Sequence, residues 1–366
     1  MRIVIAPDSF KGSVSASAVA AAVGHGWREV RSGDEIVHIP LADGGEGTLD
    51  TIASNDRGAL RRTRTVTGPD GRPVDAGWLE LDDGTAVVEL ATACGLPLMG
   101  RLDPLGADTT GLGELLYAAT DAGACRLIVA LGGSASTDGG TGALTALGAR
   151  FLDAHGDPLP PGGGALAALA DVDLSGLRPA PAGGVLCLVD VTAPLLGPFG
   201  AAAVFGPQKG ATPDDITTLE QGLGRLAAFF RGAPAAPGSG AAGGTAYGLA
   251  SAWDARLSGG ATTIAEFAGL RRALEGADLV VTGEGRLDTQ SLMGKVVGHV
   301  LDTATGLGVA AALVVGQVAV PPPPGVRRCV ELAQLAGTAA AAQDEPVRWL
   351  TAAGRQLAAS VPMGKG

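Results

Sequence analysis

Four times in this chain a short apolar run ends on a glycine-flanked cluster of charge and then gives way to a helical pattern. The segments are MRIVIAPDSFKGS, EIVHIPLADGGEG, RLIVALGGSASTDGG and DLVVTGEGRLDTQSLMGK. A strand followed by a crossover helix can rejoin its sheet only in parallel, so this grammar predicts an open α/β architecture. In such a sheet the carboxyl ends of the strands face one crevice. The four loops would then bring Asp8, Lys11, Asp43, Ser134, Asp138, Glu284, Asp288 and Lys295 towards a shared ligand site. That mixture of acids, lysines and glycine suits a phosphorylated ligand. Glycine, 59 of 366 residues, is about twice its ~7% average usage. It clusters in loops after apolar runs, where backbone must turn tightly or approach a ligand.

The pattern also predicts how the chain is divided. Arg2 to Ala6 reads as a strand, Ser13 or Ser15 as the cap of a helix with apolar positions Val19, Val23, Trp27 and Val30, and Ile36 to Leu41 as a second strand. Near Thr63 the character changes. Turn signals at Pro69-Asp70-Gly71 and Asp82-Asp83-Gly84 separate alternating segments, which predicts an antiparallel meander and a new domain. That domain continues with a helix around Leu112 to Ala119, a strand Arg126 to Leu131, a helix Thr141 to Phe151 and a strand Val185 to Val189. A helix capped by Thr212, with Pro213 at its first position and acids in its first turn, follows. Strand–helix alternation returns at Asp278 to Thr282 and again at Val309 to Val315. The expected organisation is a discontinuous parallel-sheet domain of residues 1–65 plus 284–366, Rossmann- or flavodoxin-like, with a large α/β domain of mixed sheet, residues 66–283, inserted into it. PPPPG at 321–325 and the alanine run at 338–342 read as surface spacers.

Composition excludes several classes of function. A net charge of −11 and an absence of basic clusters argue against nucleic acid as a partner. The apolar run at the start is five residues long, and Val309 to Val320 is interrupted by Gly316 and Gln317. Neither matches a signal peptide or a membrane span, so a soluble cytoplasmic protein is expected. The four cysteines, scattered and without a CxxC pair, read as reduced, buried thiols. The four histidines show no metal-ligand spacing.

Among the motifs, Gly294-Lys295 lacks the following Ser or Thr of a P-loop. Gly238-Ser-Gly240-Ala-Ala-Gly243 fits GxGxxG by letter, but APAAP precedes it instead of a strand, which favours a tightly packed loop or a substrate contact over dinucleotide binding. GGSASTDGG lies between a strand and a helix, where free amides would cradle an anion, with a tight turn as the plain alternative. For Asp138 the plain alternative is a helix cap. Phosphoryl transfer to an alcohol needs a carboxylate for the hydroxyl, cations for the phosphates and acids for magnesium, and these loops hold each type.

Taken together, APDSFKGS (6–13), LADGGEGT (41–48), GGSASTDGG (132–140), FGPQKGA (205–211), GSGAAGG (238–244) and VVTGEGRLDTQSLMGKV (280–296) resemble the bacterial type I glycerate kinases. The six motifs span nearly the entire chain in order. The resemblance implies ATP- and Mg2+-dependent phosphorylation of D-glycerate, to 2-phosphoglycerate or 3-phosphoglycerate, in a cleft between two α/β domains. On that basis Asp8 or Asp190 would orient the hydroxyl, and Lys11, Lys209 and Lys295 would meet phosphate or substrate charge. Asp43, Glu284 and Asp288 would hold magnesium. Ser9, Gly44, Gly45, Gly132, Gly133, Ser134, Gly283 and Arg286 would contact substrate or phosphate. The chain departs from the family pattern at Thr137 and Ala193, where Asn is usual, and at Val297, where Pro is usual. The competing readings are an NAD-dependent hydroxy-acid oxidoreductase and a non-catalytic hydroxy-acid sensor.

Overall fold

The computed structural model describes residues 1–292 and 294–361; Met293, inside the last motif, and residues 362–366, the end of the expected 284–366 segment, lie outside the described residues. The chain forms two compact units, one of Met1–Asp43, Asp50–Arg57 and Gly260–Gly366, the other of Gly44–Leu49 and Gly58–Gly259. These divisions fall earlier than residues 65 and 283 at both ends of the insertion. Leu60–Thr67 pairs along its whole length with Pro73–Glu80, which ties it to the second unit. Leu279–Thr282 pairs with Arg2–Ile5 on one side and Ala310–Val315 on the other, which makes it the middle strand of the first.

In the first unit five parallel strands run in the order Val326–Glu331, Ala310–Val315, Leu279–Thr282, Arg2–Ile5, Glu35–His38. Counted along the chain this is the 2-1-3-4-5 order of flavodoxin-like sheets, whose switch point lies between the first strand and Leu279–Thr282. Ser15 caps the helix Ala16–Val30, accepting from the Ala18 amide at 3.3 Å. Val19, Val23 and Trp27 are buried and Val30 stays exposed. That helix packs against Pro346–Ser360 with backbones in contact, because a Cβ on Gly26 would collide with the Thr351 carbonyl and one on Gly354 with that of Val23. The alanine run is not a spacer. Thr338 caps it into the helix Ala339–Asp344, whose Ala342 is buried.

The second unit holds a six-stranded mixed sheet in the order Arg256–Gly259, Val185–Val189, Arg126–Ala130, Thr85–Glu89, Pro73–Glu80, Leu60–Thr67. The last two pairings are the antiparallel meander and the others are parallel. Helix Pro213–Phe229 starts on a reciprocal capping box between Thr212 and Asp215. The helix expected to run from Thr141 to Phe151 ends at Ala146. Gly148, at φ 105°, turns the chain, and Arg150–Leu152 pairs as a short strand with Asp171–Asp173. Cys94 and Cys187 are buried thiols as expected, but Cys125, in the turn before Arg126–Ala130, is exposed and Cys329 half-buried. Among the described residues no helix is long and apolar enough to cross a membrane.

Candidate active site

The first unit gathers its sequence-predicted charges at the switch point. After Arg2–Ile5 the chain stays bonded to the loop beyond Thr282, with the Ala6 amide donating to the Val281 carbonyl at 2.8 Å and the Asp8 amide to the Gly283 carbonyl at 2.9 Å. Glycine is required at 283, since a Cβ there would enter the Val314 backbone. This stitching buries Asp8, 4% exposed, and leaves its carboxylate with the adjacent Ser9 amide, 2.6 Å from Oδ1. Asp43 is equally buried and receives Lys11 Nζ at 3.1 Å.

Burial above all, then the Asp43 charge and more weakly that of Glu284, pushes the Asp8 carboxyl up to about 7, against the pull of Lys11 and the Ser9 amide. Glu284 is also raised, chiefly by burial, despite a hydrogen bond from Ser291 and the nearby Lys295 and Lys11 charges. Its buried Oε1 has no hydrogen-bond partner. Three carboxylates with a costly shared charge, one presenting an unpaired oxygen, form a site that a cation would stabilise. Lys295 precedes helix Val296–Leu307, and Arg286 lies exposed on the short strand Arg286–Leu287.

The Asp288 Oδ1 accepts from the amides of Gln290 at 2.8 Å and Ser291 at 3.2 Å, which makes it a cap of the 3-10 turn Gln290–Leu292. Among the described residues no three His, Cys, Asp or Glu side chains converge as a ready metal cage. A backbone so close in sequence satisfied the Asp288 carboxylate first.

In the second unit, five other candidates share one pocket of about 110 Å³: Gly132, Gly133, Ser134, Asp190 and Lys209. Asp190 enters it at the carboxyl end of Val185–Val189. Gly132 is pressed against Gly44 and Gly45, its amide donating to the Gly44 carbonyl at 3.1 Å. Ser134 Oγ accepts from the Ser136 amide at 3.1 Å. The opposite wall is a feature the sequence did not reveal. Ala242, Gly243 and Gly244 are all left-handed, with Ala242 at φ 52°, a conformation costing an alanine about 1–2 kcal/mol. Gly243 packs so closely on Ser136 and Thr137 that no side chain would fit. GSGAAGG is thus a tightly packed loop and pocket wall. Gln208 and Phe205 complete the lining, from the motif that carries Lys209.

The anion that GGSASTDGG receives is its own Asp138. This wholly buried carboxylate accepts from Gly140 N at 3.1 Å, Gly142 N at 3.1 Å, Thr109 N at 3.0 Å and Thr109 Oγ1 at 2.6 Å. It caps the short helix Thr141–Ala146 and clamps it to Thr109. Lys209, 3% exposed, donates to the Ser136 carbonyl of the same loop. Burial lowers its ammonium to about 8, opposed by Asp138.

The model of the glycerate kinase family matches residues 3–362. The chain belongs to that family. Within it, a glycerate kinase of Bacillus subtilis (strain 168) is 44% identical over 321 residues, covering 85% of this chain and 81% of its own. A glycerate 2-kinase of Escherichia coli (strain K12) is 43% identical over 305 residues, covering 81% and 80%. A crystal structure provisionally named glycerate kinase 2, from Salmonella typhimurium LT2, superposes with a TM-score of 0.83 at 37% identity over 98% of both chains. Of the residues read above as departures from the family pattern, Thr137 is wholly buried with an unpartnered hydroxyl, and Val297 is buried in its helix. Ala193 uses only its backbone, its carbonyl accepting from the Gly240 amide at 3.0 Å.

Proposed function

We propose that the protein transfers the γ-phosphoryl group of ATP to the 2-hydroxyl of D-glycerate, giving 2-phosphoglycerate. The observation that carries the reading is that a chain of the glycerate kinase family gathers buried acids and the exposed Lys11 at the switch point of one unit, and in the other holds a separate small pocket into which Ser134, Asp190 and Lys209 bring polar groups. The first has the groups that phosphates and a divalent cation require; the second has room for roughly eight waters, enough for a three-carbon acid. The name of the E. coli relative supports the 2-hydroxyl.

In this reading Asp43 and Glu284, with Asp8 beside them, would hold Mg2+, which would supply charge neutralisation on the phosphates. Lys11 and Lys295 place positive charge where the transferred group gathers negative charge. Ser134 and the amides around Gly133 bind the acid's oxygens, Lys209 fixes the Ser136 turn behind them, and Asp190 orients the hydroxyl. The reaction takes place in the cytoplasm, with neither nucleic acid nor a membrane as partner. An oxidoreductase reading has no support from GSGAAGG, which forms a 3-10 turn with left-handed residues rather than a strand–helix phosphate loop. Phosphorus NMR of the product tests the proposal. A 2-phosphoglycerate resonance that requires ATP and Mg2+ is expected; 3-phosphoglycerate would overturn the regiochemistry, and no phosphorylated acid would overturn the activity.

A further inference from the structure

We propose that the pocket between the Phe10–Lys11 loop and the helices Leu332–Ala336 and Ala339–Asp344, in the first unit, seats the adenine ring of ATP. The inference rests on the ATP-dependent reading and adds the place and chemistry of base recognition.

The pocket opens at the carboxyl edge of the five-stranded sheet, beside the switch point. Its floor is backbone, where the Gly316 amide donates to the Glu284 carbonyl at 3.0 Å and Gly285 and Gly316 lie too close for a side chain on Gly316. Phe10 and Leu332, both buried, and half-buried Ala339 form apolar walls, and the exposed Gln317 and Gln343 stand on the rim. The space is about 50 Å³, room for roughly four waters, which is close to that of one purine ring.

The lining selects the ligand's chemistry. A purine has two apolar faces and an edge of hydrogen-bonding nitrogens, and an apolar slot with carboxamides at its mouth matches both. The one charged residue lining the pocket is Lys11, and the same ammonium meets Asp43 in the acid cluster. A ligand seated here and reaching that lysine has a flat apolar head and an anionic tail, as a nucleoside triphosphate does. The second unit's pocket adds an acid, Asp190, and a lysine, Lys209, to a lining that is also largely apolar.

Photolabelling with 2-azido-ATP in the presence of Mg2+, followed by peptide mapping, tests the assignment in the full chain. Label competed by ATP is expected within residues 332–346 or on the loop at 10–13. Ala339→Phe should fill the slot and raise the KM for ATP about tenfold or more, with the KM for D-glycerate and the melting temperature unchanged; Gln343→Ala, on the exposed rim, should raise it about threefold. Label at 132–138, 189–209 or 241–243, no ATP-competed label, or an unchanged KM for ATP in folded Ala339→Phe would each overturn the base site. Label at 332–346 in a protein that does not phosphorylate D-glycerate would leave the base site standing and remove the kinase reading instead.

Discussion

Two buried acids of the second unit, Asp138 and Glu89, and the acids at the switch point of the first are treated in opposite ways. In the second unit Asp138 accepts four hydrogen bonds, and Glu89, 3% exposed, accepts from the amides of Gly47 and Leu49, both at 3.0 Å. Their charge is spent on holding loop backbone. In the first unit Asp8, Asp43 and Glu284 are crowded together; burial and then the Asp43 charge weaken the acidity of Asp8, and burial above all weakens that of Glu284. The comparison teaches that burial alone does not mark a functional acid. A satisfied buried carboxylate is architecture, whereas an unsatisfied one stores a cost that a ligand can relieve.

Four substitutions can break or sharpen this contrast. Asp8→Asn should lower turnover about 10³-fold and yet stabilise the metal-free fold at pH 7.5 by on the order of 1–2 kcal/mol. The sign follows from the raised carboxyl. The fold prefers the protonated acid, so wild-type stability falls as pH rises from about 4, the ordinary carboxyl value, through about 7, where Asp8 ionises in the native state. Below pH 4 the stabilising effect of the substitution should vanish. Urea titrations with EDTA across this range check it, and a destabilised variant at pH 7.5 would place Asp8 with the architectural acids.

Asp138→Asn should act in the other direction, costing about 3 kcal/mol of stability, because an amide nitrogen must face donors that now meet oxygen. Denaturant midpoints measure this, and a loss under 1 kcal/mol would contradict the clamp. Lys11→Met should lower turnover by about 10² with the fold intact. It also removes a charge that opposes the Asp8 shift, so the Asp8 carboxyl should rise further, visible in carboxyl carbon NMR. The smallest effect belongs to Asp288→Ala, for which a lost cap predicts about 1 kcal/mol or less. Its magnesium concentration for half activity should not move, and a marked increase would return Asp288 to the metal site.

Much of this was legible because it depended on neighbours in sequence. The strands Arg126–Ala130 and Val185–Val189, the Thr212 capping box and the antiparallel meander follow from apolar periodicity and turn chemistry within a few residues. The failures have a common cause in partners that only folding supplies. Arg150–Leu152 became a strand because Asp171–Asp173 was there to pair with it, and the short helix Ala339–Asp344 is held where Ala342 packs into the first unit's core.

For the site, the chain alone determined which side chains bear charge, which glycines free the backbone, and the family whose motifs they spell. Tertiary structure decided what each charge does. Asp8, Asp138 and Asp288 are chemically identical residues in glycine-rich loops after strands, yet one is held short of partners, one is saturated by its own loop together with the distant Thr109 and one caps its own turn. The local sequence sets a carboxylate's position along the chain. Its solvation and the number of donors within about 3 Å depend on which segments, near or far along the chain, fold against it, and those two quantities determine whether it supports the fold or serves the reaction.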